Sequence, residues 1–539
     1  VRPLQWVVML YNNEVVPGSI LNISTGNTTR GHRFHSQALI EISDANDYEN
    51  SLLEQGKVIA DYEQRKAKIR AGVEDAAKQH KGIAVIDEDL LDEVASLNEW
   101  PVPLVGQFDQ RFLEVPTEAL ISSMKEHQKY FHMLDENGAM MPNFITLANI
   151  ESKDPKQVIE GNERVIRPRL SDAAFFFETD KKTKLEDRRE QLKKIVFQSK
   201  LGTVYDKTER VSKLAAKISA AIGGKPEDAE RAGRLAKSDL VTEMVLEFTD
   251  LQGIMGYHYA LNDGENKEVA LALTEQYQPK FAGDDLPTTL SGCALSLAEK
   301  LDSLVGLFGI NQPPTGTKDP FALRRAALGV LRILVEKQLA LDLTDLISWA
   351  LESYQLAGQT AKLDNANLEQ QLISYLLDRF RARYEDEGVS VDVFLAVSAR
   401  RPTQALDFDK RVKAVDAFAK RPEAAALASA NKRVSNILAK QDADLSAVSL
   451  DSALLTEKAE QTLAKQIESL SAQVLPLFDQ GDYSAALTLL AGLQASVDNF
   501  FEDVMVMADD PAVKQNRLLL LKQLSDLFLR VADISLLSK

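Results

Sequence analysis

The fold changes character within residues 161–210, which read GNERVIRPRLSDAAFFFETDKKTKLEDRREQLKKIVFQSKLGTVYDKTER. Before this stretch, short β-prone runs mix with helical ones, and after it nearly every segment has apolar residues at helical spacing. Ser171 or Asp172 is a suitable N-cap for a helix that begins near Ala173. The sequence therefore predicts a multidomain protein, in which an α+β N-terminal region is followed by mostly all-α domains.

Three consecutive phenylalanines, Phe175, Phe176 and Phe177, lie inside this stretch. Neighbouring side chains on a helix point about 100° apart, so the three rings cannot all face one core. Such a triple is typical of a junction at which neighbouring domains each receive a ring. Ordinary packing in one core is the alternative.

Length and composition limit the class of protein. A chain of 539 residues exceeds one ordinary core and predicts three or four domains. The formal net charge of −17 argues against indiscriminate attraction to nucleic acid, although residues 400–440 hold ten Lys or Arg against four acidic residues. No apolar run approaches the roughly 20 residues that span a bilayer, and the single cysteine, Cys293, favours a reducing compartment. We therefore expect a cytoplasmic protein with no membrane partner.

Several long runs in order along the chain resemble one known family, the beta subunit of the bacterial two-subunit glycine–tRNA ligase. Besides residues 161–180, they include KVIADYEQRKAKI, KDPFALRRAALGVLRILVEK, ANKRVSNILAK and RLLLLKQLSDLFLRVADISLL. The resemblance extends from Val1 to Lys539. It also implies that the family's N-terminal portion precedes Val1, so we expect this chain to be N-terminally truncated.

The resemblance implies four domains. Residues 1–155 resemble part of the tRNA-handling, editing-like domains of synthetase beta chains. A degenerate HD-like helical domain is expected at 156–345 and a helical linker at 346–405. Residues 406–539 resemble the DALR-like helical anticodon-binding domain.

Active HD-type enzymes bind a divalent metal through His and Asp, so the matching positions are candidate ligands. Ser238 stands where the family's His–Asp pair has its His, which leaves Asp239; Asp302 is the candidate for the late Asp, and His258 is the only histidine in the region. A catalytic metal usually needs about three protein ligands. The sequence therefore predicts no metal site, with Asp239, His258 and Asp302 as the only candidates. A metal-dependent HD-type phosphohydrolase is the alternative function, and a helix cap or salt bridge is the alternative role of the carboxylates.

Three groups of residues are candidate tRNA contacts. On a predicted helix at 424–439, Lys432, Asn436 and Lys440 are four apart and form one stripe, with Arg433 beside it. Amides read base edges and cations meet phosphates, so this stripe is typical of RNA recognition. An exposed solubility face is the alternative. The other candidates are Arg517, before the last long helix, and the pair Arg324 and Arg325, in a helix predicted to carry Pro320 in its first turn.

Chemistry for aminoacylation is not visible in the sequence. It contains neither a GxxxxGK[ST] loop nor a G-x-G-x-x-G fingerprint. The resemblance implies that ATP and Mg²⁺ are used on a separate alpha subunit and that this chain needs no cofactor. It also implies a heterotetramer of two alpha and two beta chains that acts on tRNA(Gly). We expect a non-catalytic, tRNA-binding subunit; a helical protein scaffold with no RNA role is a further alternative.

Overall fold

A computed structural model describes residues 4–356, 363–440 and 449–537. The chain divides into two compact units, each built from separate stretches of sequence. The N-terminal unit comprises Val1–Arg188 and Asp239–Asp263, and the C-terminal unit comprises Arg189–Ser238 and Gly264–Lys539. All the described strands except Val196–Gln198 and Gly202–Thr203 lie in the N-terminal unit, where they are mixed with helices, so the predicted fold class, α+β followed by mostly all-α, is confirmed.

A four-stranded antiparallel sheet is the centre of the N-terminal unit. Its strands, in spatial order, are Ile83–Ala84, Phe131–Leu134, Met140–Ala148 and Val102–Gln107. In the register, Ile145 pairs with both Phe131 and Val105, and Ile145 and Phe131 lie in one buried cluster. Helices Tyr62–Gln79 and Glu88–Leu97 supply Val73 and Leu91 to the same cluster. The alternation of apolar residues along these strands thus fixes which sheet face the helices cover.

The remaining elements of the N-terminal unit are short, except for one helix. The short strands near the start are Val7–Val8, Leu10–Tyr11, Glu14–Val15, Ser19–Ile20, Ile23–Gly26, Thr28–Arg30 and Leu39–Glu41. The short helices are Ala45–Asp47, Tyr48–Ser51, Leu52–Gly56, Gln110–Glu114, Thr117–Ser122, Ser123–Gln128, Leu185–Arg188, Glu243–Glu247, Thr249–Leu251 and Ile254–Asn262. A further 3-10 turn, Ser238–Val241, lies where the chain passes from one unit to the other.

The long helix Pro155–Asp180 differs from the prediction of a helix that begins near Ala173. The helix continues through Pro168, which is exposed. Ile166 and Leu170, on the opposite face of the helix, are buried. Burial of such apolar side chains offsets the cost of a proline inside a helix.

The phenylalanine triple diverges as predicted from helix geometry. Phe175 is 65% exposed, whereas the Phe177 ring stacks on Tyr259 with 5.8 Å between centroids, inside the N-terminal unit. The junction role stays a prediction.

Within its described residues, the C-terminal unit has helices and one small hairpin, Val196–Gln198 and Gly202–Thr203. Helix Leu290–Gly309 is buried along almost its whole length and is packed against Val204–Ala221, Lys267–Glu275 and Leu323–Glu336. The other helices are Arg189–Lys194, Pro226–Leu235, Leu343–Leu356, Leu368–Asp386, Val391–Ser398, Ala405–Ala419, Ala424–Leu438, Ser452–Leu454, Lys458–Asp479, Tyr483–Ala491, Gln494–Asp503, Pro511–Leu529 and Ile534–Leu537.

The predicted domain boundaries at 155, 345 and 405 stay predictions. Residues 156–188 and 239–263 of the predicted HD-like region fold with the N-terminal unit, and its other residues fold with the C-terminal unit. Across the described ranges, none of the helices has the length and apolar character needed to cross a membrane.

Candidate nucleic-acid interface

Helix Ala424–Leu438 carries the predicted basic stripe and ends within one residue of the predicted position. Leu427 and Val434 are buried on one side, while Lys432, Arg433 and Asn436 are exposed. Lys440 is also exposed but lies in the turn after the helix, so it does not continue the helical stripe. The structure therefore brings Lys432, Arg433 and Asn436 to one surface of the helix.

An aromatic ring joins this surface. The Arg433 guanidinium lies over the ring of Phe501, 4.4 Å from its centroid, and Phe501 belongs to helix Gln494–Asp503. Phe500, its neighbour, is fully buried in the core, so only the second of the two rings reaches the surface region. We call Lys432, Arg433, Asn436 and Phe501 the basic–aromatic patch. A guanidinium stacked on a ring keeps its in-plane donors available to a ligand.

Two exposed methionines follow Phe501 along the chain. Met505 is 75% exposed and Met507 is also exposed, in the segment between helices Gln494–Asp503 and Pro511–Leu529. Large apolar side chains at such exposure are available to a partner surface. Phe500 is thus a core residue, whereas Phe501 is half-buried and Met507 is exposed, so only the latter two can contact an unpaired base.

Arg517 occupies a different environment from the one predicted. It is 6% exposed, and its Nε donates to Glu460 Oε2 at 2.7 Å while its Nη2 lies 3.2 Å from Glu460 Oε1. Its Nη1 donates to the Met505 carbonyl at 2.9 Å. The prediction that Arg517 contacts tRNA is therefore not supported, because its donors are used inside the protein. The sequence did offer one sign that Arg517 is buried, because four consecutive leucines, residues 518–521, follow it directly.

The buried pair also affects the titration of Glu460. Burial raises the pKa of this carboxyl, but the hydrogen bond and charge of Arg517, together with backbone hydrogen bonds, outweigh burial, and the pKa lies below its ordinary value. Glu460 additionally accepts from the Glu457 backbone in a capping box that begins helix Lys458–Asp479. Arg517 thus links this helix start to the Met505 segment.

Arg324 and Arg325 lie at the start of helix Leu323–Glu336, which begins after Pro320 and not with it. The Asp319 carboxylate takes the capping role, because Oδ1 accepts from the Leu323 backbone at 2.8 Å and Oδ2 from Arg324 at 3.0 Å. Arg324 donates to the Gly316 carbonyl, and Arg325 Nη1 lies 3.3 Å from the Lys280 carbonyl oxygen. Each arginine therefore holds a loop with part of its guanidinium, and its contact with tRNA stays a prediction.

Asp302, the candidate late metal ligand, is enclosed by protein cations. Arg210 Nε donates to Oδ1 at 2.6 Å, Arg210 Nη2 lies 3.2 Å from Oδ2, and Lys207 Nζ lies 3.1 Å from Oδ2. All three residues are buried. Burial raises the pKa of Asp302, but the two cations outweigh it and hold the pKa below its ordinary value. Both carboxylate oxygens are thus used by the protein's own positive charges.

Asp239 and His258 are engaged in the N-terminal unit. Asp239 Oδ2 accepts backbone N–H groups of Gly253 and Gly256, which fixes the start of helix Ile254–Asn262. His258 Nε2 lies 3.0 Å from Glu118 Oε2. Within residues 4–356, 363–440 and 449–537, no group of three or more His, Cys, Asp and Glu side chains is arranged to hold a metal ion. The helix-cap and salt-bridge roles account for these candidates, and the phosphohydrolase alternative is not supported.

We expect no metal-dependent hydrolysis by this chain. Incubation with Mn²⁺ or Ni²⁺ and bis(p-nitrophenyl) phosphate should release nitrophenol at the rate of the buffer control, because the carboxylates that would bind the ion already pair with Arg210, Lys207 and backbone donors. Release that is abolished by Asp302→Ala would restore the phosphohydrolase hypothesis.

Comparison with known proteins relates this chain to one family along its length. The family of glycyl-tRNA synthetase beta subunits matches residues 1–399, and the DALR anticodon binding domain matches residues 427–534. Over 538 residues, the chain is 62% identical to the glycine–tRNA ligase beta subunit of Marinobacter nauticus, and over 537 residues 59% identical to that of Hahella chejuensis. Each match covers 100% of this chain and 77% of the relative. The chain belongs to the family of glycyl-tRNA synthetase beta subunits, whose members are subunits of an aminoacyl-tRNA synthetase.

Proposed function

We propose that this chain binds tRNA(Gly) and positions it for ATP-dependent glycylation on a separate alpha subunit, in the cytoplasm. The two relatives bear the name beta subunit of glycine–tRNA ligase, which supports an alpha partner and a tRNA substrate. In this proposal, two alpha and two beta chains assemble, ATP and Mg²⁺ are used on the alpha subunit, and this chain holds no cofactor of its own. This chain would contribute to the rate by placing the tRNA accurately, since a displacement of the reacting groups by about 1 Å can lower the rate on the order of a hundredfold.

The observation that carries the proposal is the position of the basic–aromatic patch. All four of its residues lie within residues 427–534, which match an anticodon-binding domain. The whole chain has a formal net charge of −17, so an exposed basic surface is a positive region on a protein that is negative as a whole. Local cations are sufficient for phosphate contacts even when the net charge is negative.

Each patch residue supplies a distinct interaction with an unpaired RNA strand. The Arg433 guanidinium, supported by the Phe501 ring, can form a forked pair of hydrogen bonds to a phosphate or a guanine edge. The Asn436 amide carries both a donor and an acceptor for a base edge. The ring of Phe501 and the exposed Met505 offer apolar area on which a base can stack.

Replacing two cations of the patch tests the proposal. We expect Lys432→Gln/Arg433→Gln to weaken tRNA(Gly) binding by about tenfold to a hundredfold and to reduce the slope of log affinity against log salt by about two, because two phosphate contacts are lost. Filter binding between about 50 and about 200 mM KCl measures both quantities. In charging assays with the alpha subunit, the KM for tRNA should rise, while the tRNA-independent activation of glycine should be unchanged.

The matched control is Lys413→Gln/Lys420→Gln. These lysines lie on or next to helix Ala405–Ala419, are exposed, and form i,i+4 pairs with Asp409 and Asp416. The control removes the same charge from the same unit, so its affinity and salt slope should remain near those of the unmodified protein. Equal losses in the two double variants would contradict a specific role for the patch.

A further inference from the structure

A second basic surface lies in a cleft of about 500 Å³ between helices Leu323–Glu336 and Leu368–Asp386. The loop containing Ala282 and Gly283 closes one side. Five arginines line the cleft: Arg324, Arg325, Arg332, Arg379 and Arg383. Only three carboxylates line it with them, those of Glu336, Asp386 and Glu387. The cleft is therefore positive in a protein with a strongly negative net charge.

The carboxylates neutralise two of the arginines but leave donors unused. Arg332 Nε lies 3.0 Å from Glu336 Oε1, and Arg383 Nε lies 2.9 Å from Glu387 Oε1. Arg332 Nη1 and Arg383 Nη1 are buried and make no hydrogen bond to any described residue. The Arg383 Nη1 atom lies 3.4 Å from Glu336 Oε1, without hydrogen-bond geometry. A buried donor without an acceptor is costly, so these guanidinium groups gain by turning toward an anion in the cleft.

Arg379 differs from the other four arginines in having neither a hydrogen bond nor a salt bridge to a described residue, whereas Arg324 and Arg325 each contact a backbone carbonyl. No carboxylate of the described ranges forms a salt bridge with it, and its Nε is buried without an acceptor. Its guanidinium instead lies 5.2 Å from the ring centroid of Tyr375. Arg379 and Arg383 are one turn apart on the same helix, so both point into the cleft from one side. Planar guanidinium groups converging from two helices match the several oxygens of a phosphate.

An exposed aromatic residue directly precedes a lining residue of the cleft in the sequence. Phe281, next to Ala282, is 61% exposed, although a ring of this size is usually buried. A positive groove together with an accessible ring is the combination that binds nucleotides through phosphate pairing and base stacking. The geometry points to a phosphate-binding site, distinct from the basic–aromatic patch, that takes the phosphate of a nucleotide. The source is either the RNA backbone, in which case the inference rests on the proposed function, or a free nucleotide.

Arg379→Gln tests the site with two probes, pyrophosphate for the free source and tRNA(Gly) for the RNA source. We expect about a tenfold loss of affinity for whichever probe the site takes, because one charge-assisted pair to phosphate is removed. If the source is RNA, the salt slope of tRNA binding should also fall by about one. Titration calorimetry follows pyrophosphate, and filter binding follows tRNA, both with the full chain.

Arg381→Gln is the matched control. Arg381 is on the same helix, two residues away, is exposed, and pairs with Glu385 at 3.1 Å without lining the cleft. Arg325→Gln is the second cleft variant, since Arg325 is exposed and its replacement does not disturb a core. Weaker binding of either probe in both cleft variants, with the Arg381 variant unchanged, supports the site.

Unchanged binding of both probes in both cleft variants overturns the inference, as does an equal loss in Arg381→Gln. The proposed function is judged separately by the patch variant. If tRNA binding remains sensitive to Lys432→Gln/Arg433→Gln but neither probe responds to the cleft variants, the function stands and the site fails. If the unmodified chain does not bind tRNA, the proposed function fails and pyrophosphate alone decides the site.

Discussion

Asp302→Asn is expected to destabilise the C-terminal unit by about 3–5 kcal/mol, the usual cost of removing one partner from a buried ion pair. The substitution preserves the size of the side chain but leaves the guanidinium of Arg210 and the ammonium of Lys207 without their shared carboxylate. Neither cation can reach water, because both are buried. The expected loss therefore comes mainly from the stranded charge of Arg210, since Lys207 still lies 3.5 Å from Glu299 Oε1, and not from a cavity.

Hydrogen exchange of helices Val204–Ala221 and Leu290–Gly309 measures this effect locally, which is preferable because a chain with two units does not unfold in one step. The control is Glu352→Gln, which breaks an ion pair of 2.5 Å between half-exposed side chains of Glu352 and Lys217. We expect at most about 1 kcal/mol there, the range of surface pairs. Similar effects for the two substitutions would show that burial of the Asp302 network contributes little.

The same network has a defined dependence on pH. Because the pKa of Asp302 is lower in the folded chain than in the unfolded one, the carboxylate stabilises the fold fully above its unfolded pKa of about 4. That contribution is lost as the pH falls through the folded value. Asp302→Asn should therefore make the stability of this unit less sensitive to acid.

Arg517→Met is expected to be comparably destabilising, by about 3–5 kcal/mol, and also to weaken tRNA binding. Glu460 is completely buried and would lose its only cationic partner among the described residues, while the Met505 carbonyl would lose the Nη1 donor that fixes it. The segment after Phe501 would then be less ordered near the basic–aromatic patch. Hydrogen exchange of helix Lys458–Asp479 and filter binding of tRNA(Gly) measure the two effects.

Two further variants separate packing from recognition. Lys522→Met, on the same helix as Arg517, removes a half-exposed cation that pairs with Asp526, and should cost no more than about 1 kcal/mol. Arg517→Met/Glu460→Leu should regain most of the stability, since apolar replacement of a buried pair is often neutral. It should still bind tRNA weakly, with an unchanged salt slope. A slope reduced by about one would instead show that Arg517 contacts a phosphate directly.

Local signals in the sequence predicted some elements well. Helix Ala424–Leu438 is found within one residue of its predicted end, because apolar spacing and exposed polar residues agree along its length. The start of helix Pro155–Asp180 is predicted wrongly, since the sequence indicates a helix start near Ala173, whereas the helix begins at Pro155 and contains Pro168. Tertiary burial of Ile166 and Leu170 decides this case, and no short window of sequence reveals it.

The candidate sites likewise divide into features that local sequence predicts and features that depend on distant residues. Exposure of Lys432 and Arg433 follows from helix periodicity, whereas the burial of Arg517 depends on Glu460, which is 57 residues away in the sequence. Asp302 and Arg210 are 92 residues apart. Arg379 and Arg383 are four residues apart in the sequence, but they form a cleft only because a second helix and a loop lie opposite them. Long-range partners, not local pattern, separate a structural arginine from an accessible one.

Because residues 239–263 belong to the N-terminal unit, this unit cannot complete its fold from residues 1–188 alone. The Asp180 carboxylate at the end of the long helix accepts from the backbone of Glu243 and Met244, at 3.0 Å each, and from the Tyr259 hydroxyl at 2.9 Å. The ribosome must therefore synthesise the intervening fifty residues, 189–238, before the N-terminal unit can complete its fold. For the same reason, a fragment ending at Arg188 would keep the contact between Arg188 and the Asp180 carboxylate but lose the donors of Glu243, Met244 and Tyr259, so a fragment that reproduces this unit must also contain residues 239–263.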